Sequence, residues 1–598
     1  MNRSKIWLLS FLLTFVGIHA YSQVAGSGKA NSDTFTHTIE RGQTVYAIAT
    51  MYGVTPEDIY KLNPNSKTVI KIGDKLIIPQ KRADLLSTQE QAYTFHTIAP
   101  KETLYSLSRS NNVTPQQIIE ENPGLTAATF KIGRTIRIPQ SSASQTTTVI
   151  KEVKKPDIEY KIKKKETLFS IGRAFHVTPE ALLERNPELK SGVKAGQIIF
   201  IPSPVEITEI ATESLGNEAE INALLNQTIA AKRVSAANVA LLLPFMSKDP
   251  GAAVDPNNAR FIEYYEGFLL AVDSLKKKGQ SINLYVYDTN KNPKTTADIL
   301  RKEEMKKMNL IVGAVYNEQI NLIANFAQKN NIKYVIPFTS KNDNVLNNPD
   351  IFQVNTPQSY LYSKASQAFS TLYANHNVVI LKMPQDKDSK DEFISELKSE
   401  LDAKKMEYQT CTYNSENFSE TLLSYLSDTK PNVIIPTTSS AEALSRFLAP
   451  LKSIKDSKPE YTLSLFGYPD WQVYTKEYLD KYYALDTYIY SNFYANNLSS
   501  QVKEFYNKFK VWYSKSLYVS YPRYGMLGFD TGMYFLNAIN SYGTNFENNL
   551  SKINYKSLQT GFNFERVNTW GGFINTNLFI INYRPDYSVS VSEFRTND

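Results

Sequence analysis

Residues 34–79, TFTHTIERGQTVYAIATMYGVTPEDIYKLNPNSKTVIKIGDKLIIP, contain the pattern that decides the fold of the front of the chain. An apolar strand, Phe35 to Ile39, precedes Thr44, whose hydroxyl can cap a helix with apolar residues at helical spacing. Thr55 caps a second helix that starts on a proline, and Asn63-Pro64 ends it. A last apolar strand follows. The pattern predicts a β-α-α-β unit whose two strands pair.

The same unit occurs three times before residue 205. Its landmarks are a capping threonine at Thr44, Thr103 and Thr167, Val-Thr-Pro at 54, 113 and 177, Asn-Pro at 63, 122 and 186, and Ile-Pro at 78, 138 and 201. The capping threonines lie 59 and 64 residues apart. Four landmarks that recur in one order three times indicate a repeated small domain.

This arrangement resembles the LysM module, the peptidoglycan- and chitin-binding repeat, across residues 34–80, 93–140 and 158–203. The resemblance implies binding of N-acetylglucosamine-containing glycan in a shallow groove between the strand-to-helix loop and the loop after the second helix. The implied glycan-binding residues are Gly42, Gln43, Thr44, Val45, Tyr46, Leu62, Asn63 and Pro64 in the first module, Thr103, Leu104 and Asn122 in the second, and Thr167, Leu168 and Asn186 in the third. Amides at a helix start can meet the acetamido carbonyl, and tethered grooves gain avidity on a repetitive polymer.

The second and third modules depart from the family pattern in the loop that approaches the sugar. The family's Gly-Asp-Thr is Gly42-Gln43-Thr44 in the first module, but Lys101-Glu102-Thr103 and Lys165-Glu166-Thr167 in the others. We expect loss of the glycine to reshape the loop, which favours the first groove and leaves the other two as candidate spacers. Two interpretations stay open for the threonines and asparagines: they contact the glycan, or they only cap and end helices.

The rest of the chain has a different pattern, in which β-rich strands alternate with amphipathic helices from Asn238 onward. This alternation predicts a parallel α/β sheet, and a second series after Val354 predicts a second lobe. Residues 237–598 resemble the type I periplasmic substrate-binding fold of the branched-chain amino-acid class. The stretches that carry the resemblance are Leu243-Pro244-Phe245, Tyr287-Asp288, Val312-Gly313, Ile336-Pro337-Phe338-Thr339-Ser340, Phe352-Gln353-Val354-Asn355-Thr356, Gly467-Tyr468-Pro469-Asp470-Trp471 and Gly528-Phe529-Asp530. The predicted fold class is therefore a multidomain α/β protein, three small modules and a linker at 204–236 followed by this two-lobed domain.

That second resemblance implies a ligand cleft between the lobes. The family's ligand-binding positions are held here by Asn317, Thr339, Ser340 and Lys341 in the first lobe and by Asp470 and Trp471 in the second. Asn317 can donate, Lys341 can neutralise an anion and Asp470 can oppose a cation, so a zwitterionic ligand is chemically feasible. Against amino-acid binding, Asp386-Lys387-Asp388-Ser389 replaces the family's Tyr-Gly. Asp470 and Lys341 are equally explained as exposed loop charges, and Trp471 as cleft wall or core.

The start of the chain and its composition bear on location and chemistry. Residues 1–22 combine Arg3 and Lys5 with an apolar run from Ile6 to Ile18, which predicts a secretory signal peptide and export to a periplasm or cell wall. That run of thirteen residues is shorter than the ~20 of a membrane span. The net charge of +7 comes without a nucleic-acid-binding motif. Five histidines without metal-ligand spacing and one cysteine, Cys411, predict no metal, no cofactor and no nucleophile.

These features lead to two hypotheses of different classes. In the first, an exported, non-enzymatic protein binds peptidoglycan through its modules and a small solute or wall fragment in the cleft of the two-lobed domain. In the second, that domain has no small ligand and is an interaction platform for a cell-wall protein, such as an enzyme of wall synthesis. Binding of nucleic acid and hydrolysis of the wall are not expected.

Overall fold

The structure is a computed structural model that describes most of the chain. The described residues are 33–68, 70–80, 93–140, 149–150, 157–175, 177–202, 210–211, 217–227, 230–246 and 256–595. The predicted signal peptide lies outside the described residues, as do parts of the predicted linkers. In the described part of the chain, no helix combines the length and the apolar character that crossing a membrane requires.

The first module is a β-α-α-β unit, as the sequence predicts. Its elements are β1 (Thr34–Thr38), α1 (Val45–Tyr52), α2 (Pro56–Leu62) and β2 (Lys75–Pro79). β1 and β2 pair antiparallel, with Phe35 opposite Ile78. The side chain of Thr44 accepts the Ala47 amide at the start of α1, and Thr55 forms a reciprocal capping box with Asp58 at the start of α2. Local capping thus sets where each helix begins.

The second and third modules repeat this architecture. Their elements are β3 (Tyr93–Thr97), α3 (Leu104–Asn111), α4 (Pro115–Glu121) and β4 (Thr135–Pro139), then β5 (Val149–Ile150), β6 (Ile158–Lys161), α5 (Leu168–Phe175), α6 (Pro179–Arg185), β7 (Ile198–Ile201) and β8 (Ile210–Ala211). The short strands β5 and β8 pair with each other on either side of the third module in sequence. Within the predicted linker, α7 (Glu218–Ala223) packs on the second module, where Ile221 joins the core.

The remainder of the chain forms two α/β lobes. The first begins with β9 (Ala237–Leu243), α8 (Pro256–Lys277), β10 (Ile282–Asp288), α9 (Pro293–Leu300), β11 (Leu310–Gly313), α10 (Asn317–Asn330), β12 (Lys333–Ile336) and β13 (Ile351–Gln353). The second contains α11 (Gln358–Leu372), β14 (Asn377–Lys382), α12 (Asp391–Ala403), β15 (Tyr408–Thr412), α13 (Phe418–Leu423), β16 (Asn432–Pro436), α14 (Ala441–Ser457), β17 (Leu463–Gly467), α15 (Thr475–Ala484) and β18 (Thr487–Ser491). The chain then returns to complete both lobes.

The returning segment adds helices and edge strands. It contains α16 (Ser500–Tyr513), α17 (Tyr524–Tyr542), β19 (Phe564–Arg566) and β20 (Phe573–Asn575) in the first lobe, then β21 (Phe579–Tyr583) and β22 (Val589–Glu593) in the second. α17 packs closely on α8, and a Cβ added at Gly528 would lie 1.9 Å from the carbonyl oxygen of Tyr264. Only glycine allows the two helix backbones to approach this closely.

The two sheets share the order and the parallel pairing of their first five strands. They differ in the sixth strand, because β20 pairs parallel with β13 whereas β21 pairs antiparallel with β18. Their strand orders are β10-β9-β11-β12-β13-β20-β19 and β15-β14-β16-β17-β18-β21-β22, and the first five strands of each are parallel. The chain crosses between the lobes three times, near residues 354–357, 492–499 and 576–578. In such sheets the carboxyl ends of the strands form the usual ligand edge.

The first two modules pack on the first lobe around Trp570. The ring centroid of Trp570 lies 6.0 Å from that of Tyr52 and 5.4 Å from that of Phe95, and the Arg137 guanidinium lies 4.9 Å from it. Trp570 is fully buried, and one hydrophobic core runs from Phe35 of the first module into the first lobe. The first two modules and the first lobe are therefore joined by a packed aromatic interface.

Candidate functional site

The strand-to-helix loop has the same conformation in all three modules. Gly42, Lys101 and Lys165 all have left-handed backbones, with φ of 76°, 71° and 69°. The expected reshaping of the loop by loss of glycine is thus wrong, although a left-handed lysine costs about 1–2 kcal/mol. Hydrogen bonds within the loop hold that conformation.

The residue before each capping threonine supplies those hydrogen bonds. The side-chain oxygen of Gln43 accepts the Glu40 amide at 2.8 Å, that of Glu102 the Ala99 amide at 2.8 Å, and that of Glu166 the Lys163 amide at 2.7 Å. The same three side chains also form a hydrogen bond with an aromatic residue of the first strand of their module. The pairs are Gln43 with His37, Glu102 with His96 and Glu166 with Tyr160. Glutamine in the first loop and glutamate in the other two therefore stabilise the same loop conformation.

The predicted threonines and asparagines have structural partners in every module. Thr103 and Thr167 accept the amides of Ser106 and Ser170, as Thr44 does with Ala47. Asn186 donates to the carbonyls of Leu182 and Phe200 and accepts the Phe200 amide, so it ties α6 to β7. Asn63 and Asn122 make the equivalent three bonds. Whether any of these residues also contacts glycan stays a prediction.

The exposure of the three loops differs. In the first module, Gly42 packs against Tyr360 of α11, and the Tyr46 hydroxyl donates to Asp343 of the first lobe at 2.9 Å. In the third module, the equivalent aromatic residue, Phe169, is 69% exposed. Among the described residues, the core and the side-chain hydrogen bonds of the third module are all internal to it. The third loop is therefore the more open one.

The other residues of the predicted glycan grooves are buried to different extents. Val45 and Leu104 are buried at the start of α1 and α3, where they belong to the module cores. Leu168 is half-buried against the third core. Leu62 and Pro64 flank Asn63 at the surface, and Leu62 is 39% exposed. Tyr46, at 60% exposure, and Leu62 are thus the exposed large apolar side chains among the predicted groove residues of the first module.

In the second lobe, the predicted ligand-binding acid already has partners. Asp470 accepts from Lys390 at 2.8 Å and from the Ser439 hydroxyl at 2.9 Å. Nearby, Asp386 accepts the hydroxyls of Thr438 and Ser440. Although burial opposes it, these two hydrogen bonds lower the pKa of Asp386. The loops at this edge of the second sheet thus form a network that satisfies its own carboxylates.

The predicted tryptophan of the cleft lies elsewhere. Trp471 is fully buried in the core of the second lobe, 5.8 Å from the ring of Tyr482, and its benzo ring faces Gly467. Its assignment as a ligand-binding residue is wrong, because its ring is closed off by the core packing. The alternative, a core residue, is correct.

The predicted residues of the first lobe lie on adjacent loops. Thr339 accepts the Lys341 amide at 3.0 Å, which shapes the turn after β12, and Ser340 is half-buried in that turn. Asn317 begins α10 and, with Lys341, lines one open depression of about 520 Å³. Among the described residues, no hydrogen bond joins this group to Asp470.

The sequences of the three small modules match a known domain family. The LysM domain family matches residues 37–79, 96–139 and 160–202. The front of the chain is a LysM array. No curated protein matches the chain. The LysM domains coincide with the three β-α-α-β units, so the predicted resemblance is confirmed.

Solved structures similar to the chain align with 60% of it. They include an ABC transporter substrate-binding protein from Desulfitobacterium hafniense in complex with Leu (13% identity, 100% of that chain, TM-score 0.36) and a branched chain amino acid ABC transporter periplasmic ligand-binding protein from Burkholderia xenovorans (12%, 95%, 0.39). A third is an ABC transporter substrate-binding protein from Sphaerobacter thermophilus (14%, 98%, 0.38). The twin parallel sheets and three crossings place the large domain in the type I periplasmic binding fold.

Metal binding and thiol chemistry both depend on how a few side chains are placed in the described part of the chain. There, no group of histidine, cysteine, aspartate and glutamate side chains is arranged to hold a metal ion. Cys411 is buried in β15, and burial raises the pKa of its thiol. A buried thiol with a raised pKa is a poor nucleophile.

Several residues of these sites were not predicted from the sequence. Lys390 and Ser439 hold Asp470, and Phe169 is the exposed aromatic residue of the third LysM domain. Phe169 could have been found by aligning the three repeats, since it follows Thr167 as Tyr46 follows Thr44. Lys390 has no such signal, because it lies 80 residues from its partner.

Proposed function

We propose that the protein is exported, non-enzymatic and binds the N-acetylglucosamine-containing glycan of peptidoglycan through its LysM array. The two-lobed domain binds a small solute or wall fragment in its cleft. The observation that carries the first part is the common loop conformation of all three LysM domains. Such a loop presents amides at a helix start, where a sugar acetamido carbonyl can be bound.

The third LysM domain is the main glycan-binding domain in this proposal. Its loop has the conformation of the first, and its Phe169 is 69% exposed. An exposed aromatic ring beside helix-start amides can cover the apolar face of a sugar while the amides bind its polar groups. The first domain, whose loop contacts Tyr360 and Asp343, contributes additional affinity.

Cosedimentation with purified peptidoglycan sacculi tests this proposal. We expect the full-length protein to pellet with sacculi and Phe169→Ala to weaken binding at least about tenfold, because burial of an aromatic ring contributes about 1.5–3 kcal/mol and about 1.4 kcal/mol corresponds to a factor of ten. Tyr518→Ala, which truncates a 54% exposed tyrosine of the two-lobed domain, is the matched control and should bind normally. The proposal fails if wild-type protein stays in the supernatant while an unrelated LysM protein pellets. Soluble muropeptides should not appear, and their release would contradict the non-enzymatic role.

The second candidate, an interaction platform for a cell-wall protein, is favoured by one observation. Asp470 and Asp386 are already satisfied by partners within the second lobe, so a ligand must replace those hydrogen bonds. A thermal-shift screen with small solutes and wall fragments separates the candidates, because a ligand that binds only the folded state raises its stability. A stabilising ligand whose effect is lost in Asp470→Ala and Lys341→Ala would exclude the platform-only role.

A further inference from the structure

A polar groove lies where the first LysM domain meets the first lobe. It is open to solvent and has a volume of about 520 Å³, within the ~300–1,000 Å³ typical of ligand pockets. One wall is a face of α10 that carries Asn317, Asn321, Asn325 and Gln328. At 1.5 Å per residue this wall is about 16 Å long, so the groove is elongated.

The opposite wall is a loop held in place by its own amides. Asn347 donates to the Thr50 carbonyl of the LysM domain at 3.1 Å, and Asn348 donates to the Ala324 carbonyl at 2.9 Å. By contrast, the side-chain amides of Asn325 and Gln328 have no hydrogen-bond partner within the described residues, and both are exposed. On the same helix, Asn321 already accepts from the Asn344 side chain at 2.6 Å. The amides of the α10 wall that are free to bind a ligand therefore include those of Asn325 and Gln328.

The charges of the groove favour a neutral ligand. Lys341 and Asp343 are its charged residues, they have opposite signs, and Asp343 already accepts from Tyr46. Each carboxamide offers both donors and acceptors, which suits hydroxyl and acetamido groups. Tyr46, at 60% exposure, adds an aromatic surface on the same face of α1 as Thr50, whose hydroxyl donates to the Tyr46 carbonyl.

We propose that this groove is a second saccharide site, formed jointly by the first LysM domain and the first lobe, for a neutral glycan that contains N-acetylated amino sugars. It rests on the proposed glycan binding and extends it beyond the LysM loops. The site shares Asn317 and Lys341 with the predicted cleft between the lobes, and it extends beyond that cleft because its long wall follows α10 away from the strand ends. It requires the LysM domain and the lobe to remain packed together.

Isothermal titration of full-length protein with the β-1,4-linked hexamer of N-acetylglucosamine tests the site. All variants carry Phe169→Ala, so that the third LysM domain does not dominate the signal. We expect Asn325→Ala combined with Gln328→Ala to raise Kd about tenfold, since each lost hydrogen bond contributes up to about tenfold. Asn507→Ala, an exposed asparagine on α16 outside the groove, is the matched control and should leave Kd unchanged. An unchanged melting temperature shows that each variant is folded.

The outcomes separate this site from the proposed function. If Phe169→Ala weakens binding to sacculi but the double substitution leaves the hexamer Kd unchanged, the groove proposal is overturned and the LysM proposal stands. Loss of all hexamer binding in the Phe169→Ala background also overturns the groove. Groove-dependent binding of the free peptides of peptidoglycan, without hexamer binding, overturns the assignment to glycan. Wild-type protein that binds neither sacculi nor hexamer overturns both proposals.

Discussion

A buried histidine connects the first LysM loop to the core of its domain. The His37 Nε2 lies 2.8 Å from the side-chain oxygen of Gln43, which can only accept, so Nε2 carries the proton and Nδ1 accepts from the Tyr52 hydroxyl at 2.7 Å. Burial lowers the pKa of His37 from 6.5 to about 4. The unfolded chain binds this proton near pH 6.5 and the folded chain only near pH 4, so stability falls as pH falls through that window. The full loss is roughly 3 kcal/mol at about 1.4 kcal/mol per pH unit.

Unfolding by urea at several pH values between 4 and 7 measures this effect. The difference in unfolding free energy between wild type and His37→Gln should shrink steadily as the pH is lowered, because glutamine does not titrate. The contributions of all other titrating groups to the unfolding free energy are the same in both proteins and cancel in that difference. A difference that stays constant across the window would show that His37 is not kept neutral by the fold.

At the scale of an element, the asparagine that ends the second helix holds each LysM domain together. Asn186 makes three hydrogen bonds of 2.7–2.9 Å that join α6 to β7. Asn186→Ala should lower the local stability of the third domain by about 2–3 kcal/mol, at about 1 kcal/mol per bond. Amide hydrogen exchange of Ile198–Ile201 in the full-length protein measures it. Asn507→Ala should leave this exchange unchanged, and equal protection in Asn186→Ala would contradict the structural role.

The same element shows why much of this fold was predictable from sequence. The second helix begins after Thr55 and ends before Asn63 because a capping box and an asparagine-proline pair act within a few residues. The conformation of Lys101 was not predictable in this way. A left-handed lysine is unfavourable by itself, and the hydrogen bonds made by Glu102 compensate for it.

At the scale of the whole molecule, the candidate sites depend on contacts that sequence patterns do not encode. The Tyr46 hydroxyl donates a hydrogen bond to Asp343, which lies 297 residues further along the sequence. Asn347 donates to the Thr50 carbonyl across the same sequence separation. The spacing of Asn317, Asn321 and Asn325 does predict one polar helix face. No local sequence pattern indicates that a LysM domain lies beside this helix. The sequence therefore predicted only that Asn317 binds a ligand in the cleft, whereas in the structure Asn317 also lines an interdomain groove.

The packing of the first LysM domain across both lobes leads to a prediction about the molecule's shape. This domain contacts the first lobe through Trp570 and reaches the second through Arg41, whose guanidinium donates to the Ser363 hydroxyl at 3.3 Å. Trp570→Ala removes a fully buried side chain, a change that costs about 3–5 kcal/mol, and should release the first two LysM domains from the lobe. Small-angle X-ray scattering should then report a larger radius of gyration, and α11 should exchange its amides faster. Trp512→Ala, which truncates a 46% exposed tryptophan on α16, should change neither quantity. An unchanged radius for Trp570→Ala in a folded protein would show that the aromatic interface does not hold the domains together.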